Sequence, residues 1–189
     1  MYYMTGFLLL LPVILICIHT VNQAIDRRSG VTQKRFYFAL CVFYLFLVLW
    51  ITLISRKKET NIGIVTIPLS TYYATFFGEG SLFDCIGQVI NKQKNAWLHL
   101  CMAFDGLGFM LLNIELFIPF GYLLKKIGLK RKHISLTAVC VSVLIETMQL
   151  CLKLGWFDID DIINNVCGAI IGSCFPLKII QLSMDKGDD

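Results

Sequence analysis

The sequence predicts an all-α fold, a polytopic bundle of transmembrane helices with about five spans and a sixth as the alternative. Three observations carry this. Of the 189 residues, 57% are hydrophobic and only 16% are charged, where soluble domains carry roughly a quarter charged. Mean hydropathy is +0.70. Several apolar runs also approach the roughly 20 residues that a helix needs to cross a bilayer core about 30 Å thick.

The runs fall in order at about residues 5–21, 36–55, 101–124, 134–152 and 161–180. The opening "MYYMTGFLLLLPVILICIHTV" lacks a basic leader and a small-residue cleavage site, so it reads as a retained first helix. Thr60 to Gly78 has no charge until Glu79 and is the candidate sixth span. Pro68 and the Ser/Thr/Tyr cluster around it oppose a continuous helix, so the segment is expected to be interfacial or re-entrant. No repeat or low-complexity linker divides residues 1–189, which are read as a single domain ending in a frayed "MDKGDD" tail.

Orientation follows the distribution of Lys and Arg in the loops. Eleven of the 17 basic residues lie in the 22–35 loop, in the 125–133 loop and at the C-terminal end, where Lys178 and Lys186 are counted together. The remaining six, Arg56, Lys57, Lys58, Lys92, Lys94 and Lys153, lie on the other side. The five-span reading therefore places the protein in the cell membrane with its N-terminus outside, its C-terminus in the cytoplasm and the 153–160 turn outside. A sixth span weakens the bias but leaves the last three spans oriented as before.

No basic, aromatic-interleaved surface points to nucleic acid. The eight cysteines include no CxxC pair and no Cys/His metal spacing. Cys17, Cys41, Cys140, Cys167 and Cys174 lie inside apolar runs, where a thiol is a small buried side chain. No metal or other cofactor is expected. The partners expected from composition are membrane lipids.

Three polar stripes interrupt the apolar helices. At 100° per residue, Asp158, Asp161, Asn165, Gly168 and Gly172 fall within about 80° of arc on the last helix. Asp158 is placed to cap that helix, and acids are favoured at its start. The glycines let another helix approach closely. Asp160 points away from the stripe, so its change is expected to be better tolerated than that of Asp161.

On the preceding helix Ser135, Ser142, Glu146, Gln149 and Lys153 share one face. Counted from the outer ends, Glu146 and Asn165 lie at similar depth, about 9 Å in, so the stripes are expected to bring these two face to face. The third element is "LLNIELFIPFGYLLKK", with Asn113 in mid-span and Glu115 nearly opposite. Its Pro119 frees a backbone carbonyl that needs another partner.

An acid at a helix start is often only a cap, and one buried Asn or Gln is often helix–helix glue. Glu146 is different, because a carboxylate within a span costs several kcal/mol and points to function. The expected site is an outward-opening pocket formed by Asn113, Ser142, Glu146, Gln149, Asp158, Asp161 and Asn165.

These residues also carry a resemblance. Asn113-x-x-x-Phe117-x-Pro119-Phe120-Gly121, Ser142-x-x-x-Glu146-x-x-Gln149 and Asp158-x-Asp160-Asp161-x-x-x-Asn165-x-x-Gly168-x-x-x-Gly172 resemble the VanZ-like family over about residues 110–172. "IVTIPLSTYY" loosely resembles the family's Ile-Pro-Phe stretch, with Leu69 in place of Phe. One departure is clear: Gly155 stands where the family usually has Arg, three residues before the first Asp.

The family's name-giving member is associated with teicoplanin resistance in Gram-positive bacteria. The resemblance thus implies an envelope protein that binds a wall precursor, a lipid or a glycopeptide and lowers antibiotic susceptibility. Two other classes stay open. One is an intramembrane enzyme on a lipid-linked substrate, with Glu146 and Asp161 as acid and base. The other is a small proton-coupled transporter. No Ser-His-Asp set, phosphate loop or HExxH motif supports the enzyme, and the substrate and oligomeric state are not legible.

Overall fold

The computed structural model describes residues 30–175. The first expected span, the 22–29 loop segment, the end of the last span and the tail lie outside the described residues. Within them the chain is all-α apart from two two-residue strands.

α1 (Gly30–Leu49) continues into a π-helical turn, Trp50–Ile54. Tyr37, Cys41, Tyr44 and Val48 recur at helical spacing and are buried. Phe38, Phe43, Phe46 and Trp50 face outward, as lipid-facing side chains do. A break follows, containing β1 (Ile64–Val65), and then two short helices, α2 (Ser70–Phe77) and α3 (Leu82–Ile90). Thr60 to Gly78 is therefore not one continuous helix. Leu69, just after Pro68, has φ 64°, a left-handed conformation unusual for a bulky residue, and it turns the chain into α2.

α4 (Ala96–Ile127) has 32 residues, so it is about 48 Å long and exceeds a bilayer core. It ends at Gly128, whose φ of 108° permits the closing Gly128 N–H to Lys125 C=O bond of 3.0 Å. The turn is short, so α5 (Arg131–Cys151) runs back antiparallel. After it come β2 (Phe157–Asp158) and α6 (Ile159–Cys174). Thr32–Ile54, Leu107–Ile127 and Arg131–Cys151 are long and apolar enough to cross a membrane. These match the expected spans at 36–55, 101–124 and 134–152.

α6 packs most closely on α4. A Cβ at Gly168 or Gly172 would collide with the carbonyl oxygens of Ile114 or Ile118, and one at Gly121 with that of Ala169. The sequence leads one to expect close approach at Gly168 and Gly172, and the helix they admit is α4. The apolar core joins α1, α4, α5 and α6 through Tyr44, Phe117, Leu123, Ile134, Ile145 and Ala169. Tyr44 donates to the Leu116 carbonyl at 2.9 Å, one residue past the carbonyl that Pro119 leaves without its helical donor.

Strands β1 and β2 pair in parallel, Ile64 opposite Phe157 and Val65 opposite Asp158. This small bridge, with the Glu59 N–H to Lys153 C=O bond of 2.8 Å, ties the 59–65 segment to the α5–α6 turn.

Candidate functional site

The polar cluster forms where α4, α5 and α6 meet beneath the 66–77 segment. α5 supplies Ser142, Glu146 and Gln149, all buried. α6 supplies Asp160, Asn164 and Asn165, also buried, and Asp161, half-buried. α4 supplies Asn113, which is buried and stands beside Asp161.

The expected pairing of Glu146 with Asn165 is corrected by the register. Asn165 Nδ2 donates to Ser142 Oγ at 2.7 Å, one turn further in. Glu146 instead accepts the Asp158 N–H at 3.2 Å, and Asp161 is near enough for the two charges to interact. The reason lies in the turn. α5 continues to Cys151, and the chain folds back through Lys153, with φ 57°, and a Leu154 N–H to Gln149 C=O bond of 2.8 Å. Extended residues 157–158 then delay the start of α6 until Ile159. Equal residue counts from the two ends therefore do not mean equal depth.

Asp158 is the N-cap: its Oδ1 accepts the Asp160 N–H at 2.8 Å. Its Oδ2 accepts the Thr71 hydroxyl at 2.8 Å. Gln149 donates to the Thr52 carbonyl at 3.2 Å, satisfying one of the carbonyls that a helix C-terminus leaves open.

Asp160 is tied into the fold more firmly than its position off the stripe suggests. It does point away from the stripe, but it is fully buried and accepts the N–H groups of Leu69 at 2.6 Å and Thr71 at 2.9 Å. It pins the start of α2. Beside it the Tyr72 hydroxyl donates to Asn164 Oδ1. The 66–77 segment thus covers a second flank of α6, which widens the buried polar face beyond the 80° arc of the stripe. Two buried amide atoms, Asn164 Nδ2 and Asn165 Oδ1, have no hydrogen-bond partner among the described residues.

The residues that the sequence reading passed over are Thr52, Arg56, Thr71, Tyr72, Asp160 and Asn164. The one available signal was the hydroxyl-rich "IPLSTYY", noted as a helix-breaking stretch rather than as a source of partners. Lys153 is exposed, and the cation whose charge reaches both Glu146 and Asp161 is Arg56. Arg56 Nη1 points to Gln149 Oε1 at 3.5 Å and stands against Gly155, the position lacking the family's arginine. Among the described residues, no group of three His, Cys, Asp or Glu side chains is placed to hold a metal ion.

A helical bundle with apolar outer faces and a buried carboxylate–amide cluster between its central helices defines an integral membrane protein with a polar interior. Residues 38–180 match the family model described as VanZ/LLP1. The chain belongs to the VanZ/LLP1 family. No curated protein and no solved structure matches it.

Proposed function

We propose that the protein is a cell-envelope membrane protein that lowers susceptibility to teicoplanin-type glycopeptides. It does so by holding a wall precursor, a lipid or the glycopeptide in a pocket that opens outward. The pocket is lined by Asn113, Ser142, Glu146, Gln149, Asp158, Asp161 and Asn165, with the N-terminus outside and the C-terminus cytoplasmic.

The observation that carries this reading is the incomplete closure of the cluster. A purely structural polar core pairs its groups, because an unmet buried donor or acceptor costs about 1–3 kcal/mol. Here Asn165 Oδ1 is buried without a partner among the described residues, and Asp161 is left half-buried beside Asn113. Such groups can be completed by a ligand with hydroxyl or amine donors. The test is copurification: lipids or wall precursors should accompany the wild type and be lost from Glu146→Gln at equal protein yield. Retention in both would remove the pocket from the account.

A second reading has its own support. Glu146 and Asp161 are close enough for their charges to interact, and paired carboxylates suit acid–base chemistry on a lipid-linked substrate or proton coupling. Turnover of a copurified ligand, abolished in both Glu146→Gln and Asp161→Asn, would favour it.

A further inference from the structure

Gly155 is buried, yet its φ lies outside the left-handed region, so its backbone does not call for glycine. Space does. A Cβ at this position would lie 3.0 Å from Arg56 Nη1 and 3.5 Å from Gln149 Oε1. The missing side chain makes room for a guanidinium delivered from the end of α1.

That guanidinium is held but not consumed. Its one hydrogen bond among the described residues is the long 3.5 Å contact to Gln149. It acts on Glu146 and Asp161 across space, without a contact ion pair among the described residues. Most of its five N–H donors, arranged in a planar fork that matches two anionic oxygens, remain open on an exposed residue. Arg56 follows two residues after the apolar stretch Thr32–Ile54, the headgroup level where lipid phosphates lie.

We propose that Arg56, seated on Gly155 and steadied by Gln149, receives the phosphate of the pocket's ligand. This rests on the ligand-site reading above and adds a chemical class. One end of the ligand is a phosphate group. The other offers hydroxyl or amine donors to Asp161 and Asn165, which present acceptors. The chemistry could come from a phospholipid headgroup or from a free phosphate.

The experiment uses the purified full chain in phosphate-free maltoside micelles, with binding titrated by native mass spectrometry. The probes are phosphatidylglycerol, a glucosyl diacylglycerol with the same acyl chains, and inorganic phosphate. Phosphatidylglycerol should saturate the wild type, with affinity falling about tenfold or more in Arg56→Gln. Arg56→Lys should lose less, because charge remains while the fork is gone. Lys57→Gln should match wild type. Saturation by inorganic phosphate with the same dependence on Arg56 keeps the phosphate site and assigns its occupant to a free anion.

Three results overturn the proposal: equal binding by wild type and Arg56→Gln, equal binding of the glucolipid, or an equal loss in Lys57→Gln. The last would reduce the effect to general attraction by the 56–58 basic run. Phosphate binding without any change in glycopeptide susceptibility would sink the resistance reading and leave the phosphate site standing.

Discussion

Asp160→Ala should release the start of α2 while leaving the α4–α6 core intact. The wild-type carboxylate accepts two backbone N–H groups, from Leu69 at 2.6 Å and Thr71 at 2.9 Å. It also holds Leu69 in a left-handed turn at φ 64°. Hydrogen bonds to a charged group contribute about 1.5–3 kcal/mol each. Leu69 is exposed and its freed N–H can be hydrated, so the low end applies, giving about 3 kcal/mol for the two. That corresponds to about a hundredfold in the local opening equilibrium. Hydrogen exchange followed by peptide mass spectrometry reads this directly. Amides of 66–77 should exchange about a hundredfold faster in the variant, with α4 and α6 peptides unchanged. Asp160→Asn should come close to it, because the amide keeps one acceptor and turns an NH₂ toward the second N–H. Unchanged exchange at 66–77 would refute the pinning role. A uniform rise across all helices would show that Asp160 serves the whole fold instead.

Three further outcomes follow from the packing, the register and the charge distribution. Gly168→Leu should strip folded protein from the membrane, since a side chain there meets the Ile114 carbonyl of α4; a cost of about 3 kcal/mol or more is expected, read as lost membrane abundance and a lowered melting temperature in detergent. In a Cys-less background, Ser142→Cys with Asn165→Cys should cross-link faster than Glu146→Cys with Asn165→Cys, because Asn165 meets Ser142 at 2.7 Å; the reverse order would restore the equal-depth register. In the same background, Lys153→Cys, exposed in the α5–α6 turn, should react with an impermeant thiol reagent from outside and Lys130→Cys should not, and the opposite pattern would invert the topology.

The helices were legible because lipid demands unbroken apolar length, a requirement written residue by residue in runs such as 36–55 and 134–152. The inward faces of α5 and α6 were legible for a similar reason. Ser142, Glu146 and Gln149, and Asp161, Asn165, Gly168 and Gly172, keep the helical period among apolar neighbours. What failed was whatever depended on non-helical backbone. The depth of Glu146 against α6 turns on Lys153 and on the extended residues 157–158, and helical counting cannot see either. Asp160 and Asn164 looked peripheral because their partners, Leu69, Thr71 and Tyr72, come from a broken segment about 90 residues away whose path no periodicity sets. In the sequence Arg56 reads only as a loop charge. Its place over Gly155 depends on how α1 ends, and Gly155 alone reads as a missing arginine rather than as a space made for one.

The central claim is that the acids on α6 line a working site, and glycopeptide susceptibility measured together with membrane abundance tests it most directly. Cells producing wild type should tolerate more teicoplanin than cells lacking the protein. Cells producing Asp161→Asn at the same membrane abundance should lose that protection, since Asp161 is half-buried beside Asn113 and is not the helix cap. Full protection by Asp161→Asn would contradict the site, and a wild type that gives no protection would contradict the resistance function assigned to it.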